Sequence, residues 1–360
     1  MNNRFLNTCT WCLLLAVAIS LSACDVFGDL GNDDPDSQGT ALFPVRIDGE
    51  WGYVNENGRI RIEPDFNSAN LFAEGLARVR EGSVGYIDPE GEYVIEPRFQ
   101  NGRSFSQDLA AVEVDNRWGY INKSGAFVIN PQFQEAYNFI DGRAFVLTSS
   151  FDWEYIDQTG QIIRTIDTPE LNDFDNISDN QYSSGLALVF NEDVNQFGFI
   201  DRDGNMSIDF QYSEARAFYD GYAAIKVSDR WGFIDNRGNI SIQPRYIEAG
   251  NFGDGLVPVR ENTNDWGYAD RRGNIIIEPQ FEEARQFSEG RAAVLVNGFW
   301  GFIDTSGNVL GKPDYDEVSP FYKGAAQVIV EKLDPNNENN RLTTWGYVGM
   351  DGRLIWYPTR

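Results

Sequence analysis

From about residue 41 the chain repeats short apolar runs broken by turn residues. Runs such as Leu76-Ala77-Arg78-Val79, Tyr86-Ile87 and Tyr93-Val94-Ile95 are rich in β-branched and aromatic residues, and Gly, Asp, Asn or Pro bounds them. This is the pattern of strands. No apolar stripe with a 3.6-residue period reaches helix length in this region. The runs come in threes. The first follows a Gly, as at Gly75-Leu76 and Gly290-Arg291. The second carries Trp-Gly-Tyr or a variant. The third ends in Ile-Glu-Pro or a close variant, as at Ile62-Glu63-Pro64, Ile129-Asn130-Pro131 and Ile277-Glu278-Pro279. Pro lacks an N–H, so it ends a ladder or sits at an edge.

The set of three returns nine times. Its marker positions are 51, 84, 118, 153, 197, 231, 266, 300 and 345, at spacings of 33, 34, 35, 44, 34, 35, 34 and 45 residues. A fixed period of this size means that no unit buries its apolar face alone. The predicted fold is all-β: nine tandem repeats of about 34 residues, each three-stranded, arranged as a β-propeller, with an open, curved β-solenoid as the alternative. Radial repetition protects strand edges, which favours the propeller.

Second and third strands are joined by Asp/Asn-x-x-Gly, from Asn55-to-Gly58 through Asp304-to-Gly307. The Asx side chain accepts backbone amides, and Gly supplies the positive φ that closes the hairpin. Asp201-Arg202-Asp203-Gly204 lacks the twelve-residue spacing of a calcium loop. It is therefore read as a turn. In the marker strand, Trp and Tyr share one face, and Gly marks a close approach of other backbone. The repeat positions singled out are Trp51, Gly52, Trp118, Gly119, Trp231, Gly232, Trp266, Gly267, Trp300, Gly301, Trp345 and Gly346. Their indoles are expected between successive units. The functional alternative is a set of exposed rings that stack on sugars. A connector with two aromatics around a small residue (Phe133, Ala136, Phe139; Phe281, Ala284, Phe287) leads to the next unit and has room for a short fourth strand.

Together, Trp-Gly-Tyr-Ile-Asp, the hairpin Gly, Ile-Glu-Pro-x-Phe, Ala-x-x-Phe and Gly-x-Ala-x-Val resemble the bacterial WG-repeat (KWG-repeat) family over residues 41 to 360. The resemblance implies tandem β-repeats in secreted or envelope proteins with interaction roles. It implies no catalytic residues. The fourth unit departs most, with Glu154 in place of Gly and no Pro after Ile163.

Composition narrows the function. Acidic residues outnumber basic ones 55 to 29, for a net charge of −26. Such a surface repels nucleic acid and anionic lipid. The chain has no His, which removes Ser-His-Asp and Cys-His catalysis and His-ligated metals. Residues 1–23 read as a lipoprotein signal peptide. An apolar stretch from Trp11 to Ile19 leads to Leu21-Ser22-Ala23-Cys24, which looks like a lipobox. Cys24 is then the lipidation site and the first mature residue. Residues 24–40 are acidic and punctuated by Gly and Pro, a flexible tether. The expected location is the bacterial cell envelope, on a lipid anchor, with the leaflet unassigned.

Two long spacings mark insertions, at 165–184 and 333–344. Insertions in repeat arrays emerge as loops on one face and are frequent binding sites. The first carries Asp167, Glu170, Asp173, Asp175 and Asp179 and is a candidate binding loop. The expectation is a non-catalytic, envelope-tethered scaffold for protein–protein interaction, with no catalytic residue, cofactor or metal. The membrane is its partner through Cys24, and an unidentified protein is the other. A glycan-binding module is the alternative, and a carboxylate glycosidase stands further behind.

Overall fold

The computed structural model describes residues 41–165, 183–191, 193–201, 205–262, 264–334 and 337–359. All its regular structure is strand, and no helix occurs among the described residues. Nine small antiparallel sheets stand in a ring, a nine-bladed β-propeller. The solenoid alternative is thereby overturned.

Blade 1 contains β1 (Leu42–Ile47), β2 (Glu50–Asn55) and β3 (Ile60–Phe66), paired in that order. Blade 2 adds an inner strand, β4 (Ser68–Ala73), to β5 (Leu76–Glu81), β6 (Ser83–Ile87) and β7 (Tyr93–Phe99). The inner strand comes from the connector, so the three expected strands are joined by the short fourth for which the connector had room. Seven sheets have four strands. Blades 1 and 5 show three, and both follow stretches outside the described residues. In later blades the inner strand shrinks to two residues, such as Glu135–Ala136 or Glu248–Ala249.

The antiparallel order sorts the connections onto two faces. Inner-to-second and third-to-outer hairpins lie on one face. Second-to-third hairpins lie on the opposite face, where each outer strand also crosses to the next blade. We call these the turn face and the crossing face.

The core sits between blades, as the repeat argument requires. One buried cluster joins Leu109, Trp118, Tyr120, Ile129 and Phe133 of blade 3 to Ala136, Phe139, Val146 and Ile156 of blade 4. Clusters of the same make-up join blades 6 and 7, and blades 7 and 8. At the centre of each interface the marker-strand aromatic meets the connector aromatic. Tyr53–Phe72, Tyr120–Phe139, Phe233–Phe252 and Phe302–Phe321 have centroids 4.8–5.1 Å apart. Buried phenols need acceptors. Tyr53, Tyr86, Tyr120 and Tyr268 donate to the carbonyls of Asn70, Arg103, Tyr137 and Arg285 in the next blade, at 2.7–2.9 Å.

The ring closes with the same parts. Tyr347 of blade 9 donates to the Pro44 carbonyl at 2.9 Å, and its ring lies 5.3 Å from Phe43. Trp51 and Trp345 meet edge to face at 5.9 Å. Lys323 Nζ reaches the Phe72 carbonyl at 3.2 Å.

The Trp-Gly glycine has a specific steric cause. Opposite it the outer strand bulges: Trp118 pairs with Phe133, but Tyr120 pairs with Ile129. A Cβ on Gly119 would lie 2.6 Å from the Ile129 oxygen and 2.7 Å from Pro131 N. Blade 4 has no bulge there. Glu154 faces Thr165 and Tyr155 faces Arg164 in continuous register. The loss of Gly and the loss of Pro in that unit are therefore one structural change.

Candidate functional site

Each recurrent polar device is spent on closing a hairpin or joining blades. Asp235 Oδ1 accepts the amides of Arg237 and Asn239 at 2.9 Å, and Asp304 Oδ1 does the same for Ser306 and Asn308. The side-chain amides of Asn239 and Asn308 are the largest influence holding these two carboxyls below the ordinary aspartate value, and the backbone amides add to it. The hairpin glycines sit against the outer-strand isoleucine of the preceding blade, Gly125 on Ile95 and Gly273 on Ile242.

On the turn face the inner hairpins form a collar. Glu74 accepts the amides of Gln107 and Asp108 in the next blade. Gln107 accepts from Gly142, Asp220 from Gly255, Asp254 from Gly290, and Glu289 from Lys323 and Gly324. Lys123 adds an ion pair to Glu74 at 3.3 Å.

The indoles lie at the interfaces too. Trp118, Trp231 and Trp300 are buried, while Trp51, Trp266 and Trp345 are half-buried. Trp231 is only 3% exposed. Guanidinium groups cover several of the rings: Arg103 over Trp118 at 5.4 Å, Arg216 over Trp231 at 5.1 Å, Arg260 over Trp266 at 5.6 Å and Arg285 over Trp300 at 3.9 Å. Arg103 continues to the Ala136 carbonyl and Glu135 of the next blade. Arg285 continues to the Val318 carbonyl and Glu317. Each of these two arginines fixes an indole and a neighbouring blade at once. Gly52, Gly119, Gly232 and Gly267 face the outer-strand backbone of their own blades, and Gly301 faces Pro313. Gly346 pairs with Val328.

What differs from blade to blade lies on the crossing face. Most second-to-third hairpins there are tight, as at Asp115-Asn116 and Ser228-Asp229. Blade 4 has a longer turn from Thr148 to Asp152. Blade 5 turns over Asn191–Gln196. The insertion at 333–344 is not a loop. It lengthens two strands, Ala325–Asp334 and Asn337–Gly349, into a two-stranded ribbon closed by Asp334 opposite Asn337. A loop was expected from the Pro and the Asn-rich run, but the residues before and after them pair instead. Arg341 bridges to Glu331 across the ribbon at 3.0 Å.

The other insertion joins the outer strand of blade 4 to blade 5, so it leaves from this same face. Its candidate binding residues Asp167, Glu170, Asp173, Asp175 and Asp179 lie outside the described residues. Cys24 does as well. Among the described residues no group of three or more Cys, Asp or Glu side chains is placed to hold a metal. No helix among them is long and apolar enough to cross a membrane.

One residue with no marking in the linear pattern stands out here. Phe151, in the blade 4 turn, is 71% exposed with a φ of 65°. Comparing the repeat copies would have found it, because the matching turns place Gly, Asn or Asp there.

The profile of the WG containing repeat matches residues 51–83, 85–118, 118–148, 197–231, 231–263, 266–298 and 300–333. The marker strands at 153 and 345 lie outside these matches. No curated protein matches the chain in sequence. Among solved structures, a eukaryotic initiation factor is similar at a TM-score of 0.55 and 10% identity, covering 89% of this chain and 96% of its own. BamB from Moraxella catarrhalis is similar at 0.38 and 11%, covering 85% and 99%. PorZ of Porphyromonas gingivalis is similar at 0.30 and 10%, covering 86% of this chain and 46% of that one. At these identities the likeness to the initiation factor is one of fold alone.

Proposed function

Because the chain belongs to the WG-repeat family and its repeats close into a propeller, we propose that it is a non-catalytic scaffold for protein partners, tethered to the cell envelope through a lipidated Cys24. One observation carries this reading. The recurrent aromatic and hydrogen-bonding groups are consumed in blade-to-blade contacts and in hairpin turns, while length and sequence vary mainly among the hairpins and crossings of one face. Rigid rings with variable loops are a common platform for recognition. The acidic balance of the chain suits basic partners.

The glycan alternative is weakened by the burial of Trp118, Trp231 and Trp300 beneath arginines. A glycosidase needs two carboxyls flanking one pocket. The bases of the two insertions, in blades 4–5 and blade 9, stand on nearly opposite sides of the nine-blade ring, which weighs against a shared cleft.

The test is cross-linking of the full chain in its host, with and without residues 165–184. The expected result is a defined set of protein partners that is reduced by the deletion, in a chain that still melts cooperatively. Recovery of no specific partner would remove the scaffold reading.

A further inference from the structure

We infer that Phe151 is an anchor by which the crossing face holds a protein partner that offers an apolar pocket rimmed by Lys or Arg. The inference rests on the scaffold reading above and names the chemistry of the partner. The residue is costly where it stands. Its φ of 65° lies in the left-handed region, where a Cβ crowds the backbone. Every other described non-glycine residue with positive φ is Asp, Asn, Glu, Gln, Ser or Lys. The corresponding hairpins use Gly49, Asn116, Asn195, Asp229 and Gly298.

Nothing local offsets the strain. The ring is 71% exposed. The turn is held by the Phe151 amide donating to the Thr148 carbonyl at 3.1 Å and the Asp152 amide donating to Thr148 Oγ1 at 3.2 Å. Neither bond needs an aromatic at 151. A strained, solvent-facing ring is a local loss, and such losses point to function.

The surroundings suit presentation. Leu147 pairs with Trp153 below the turn, and Trp153 stacks on Phe145 at 4.5 Å with an interplanar angle of 6°. The hairpin is therefore stiff beneath its tip. Val194, on the blade 5 hairpin of the same face, is 53% exposed. Asp152 and Asp193 are exposed beside these two residues. An apolar knob with an acidic rim fits an apolar pocket with a cationic rim. A second copy of this chain, itself at −26, is opposed by charge.

The test uses a random-peptide phage library selected on the full chain, with recovered peptides titrated against wild type, Phe151→Asn and Phe299→Ala. Phe299 is an exposed ring on the same face with ordinary backbone. The expected result is a set of peptides that combine apolar and cationic residues. Their binding weakens with salt, falls about tenfold or more on Phe151→Asn and is unchanged on Phe299→Ala. Phe151→Asn should melt at or about 1–2 °C above wild type, because Asn tolerates this φ. A lower melting temperature would make the ring structural and overturn the inference. So would peptides that all bind Phe151→Asn as they bind wild type, in which case the scaffold reading survives. If neither peptides nor cross-linked partners are recovered, both readings fall.

Discussion

Gly119→Ala is the sharpest test of how the repeat is built. A Cβ at position 119 would lie 2.6 Å from the Ile129 oxygen, 2.7 Å from Pro131 N and 2.9 Å from the Asn130 carbonyl carbon. Ordinary Cβ contacts begin at 3.4 Å, so the outer strand must retreat by about 0.8 Å (3.4 less 2.6). All three obstacles are backbone, and Ile129 is buried in the interface with blade 4. Overpacking of this kind costs about 1–3 kcal/mol, and with no flexible side chain to give way the upper end, about 3 kcal/mol, is expected. Gly142→Ala is the comparator. Its site is open space at a φ of 78°, so it meets only the left-handed backbone penalty of about 1–2 kcal/mol. Blade 4 supplies the rescue, since there the outer strand lacks Pro and its register is continuous opposite Glu154. Adding Pro131→Thr to Gly119→Ala should therefore cost at least about 1 kcal/mol less than the sum of the single changes. Denaturant melts of the full chain give these differences if the slope is unchanged. A Gly119→Ala cost no greater than that of Gly142→Ala, or strict additivity with Pro131→Thr, would refute the reasoning.

Three further outcomes are expected. Burial raises the phenols of Tyr53, Tyr120, Tyr268 and Tyr347 above their ordinary value. Their stabilising effect is complete below pH of about 10 and is lost as pH rises beyond it. Tyrosinate absorbance from these rings and loss of β circular dichroism should therefore appear together in an alkaline titration; four additional tyrosinates in a chain that is still folded would contradict the packing. Tyr347→Phe leaves the buried Pro44 carbonyl without its donor and should cost about 1–3 kcal/mol. An unchanged melt would mean that closure does not depend on this bond. Cys24→Ser should move the protein from the membrane fraction to the soluble fraction on cell fractionation, and retention in membranes would remove the anchor from the proposal.

The repeat was legible because its physics is local in sequence. Trp118-Gly119-Tyr120 and the Pro131 that follows mark two strands, and Asn122-to-Gly125 marks the hairpin between them. Nearest-neighbour packing then makes one unit stand for all. Two kinds of feature were not located by the pattern, although the connector had room for the first. The inner strand Glu135–Ala136 is too short for any periodicity to reveal, and only pairing with Val146 and Leu147 makes it a strand. The ribbon at 333–344 reads as a loop because its turn residues interrupt the pattern. Its neighbours still find register with each other through the hairpin below. Phe151 went unmarked for a different reason: a Phe in one turn carries no signal of its own, and it stands out only when the turns of the repeat copies are compared, where the others place Gly, Asn or Asp. Of the candidate binding residues, the five acids of the first insertion lie outside the described residues, so the crossing face is defined by what flanks them.

How the ring closes follows from the contacts between blades 9 and 1. Thr359 pairs with Trp345 as Phe66 pairs with Trp51, so the last outer strand keeps the register of the first. Blade 1 has no inner strand among the described residues. Elsewhere the second-strand carbonyl is taken by the inner strand, as when the Tyr137 amide donates to the Phe145 carbonyl. In blade 1 the equivalent carbonyl is that of Pro44, and the Tyr347 hydroxyl takes it directly. Phe43 packs against Tyr347 where a connector ring packs at internal interfaces, and Val45, Val54 and Ala325 join the cluster. The joint thus reuses the chemistry of an internal interface, displaced by one strand. Among the described residues, the closure is held by side chains of the same kinds that hold the internal interfaces.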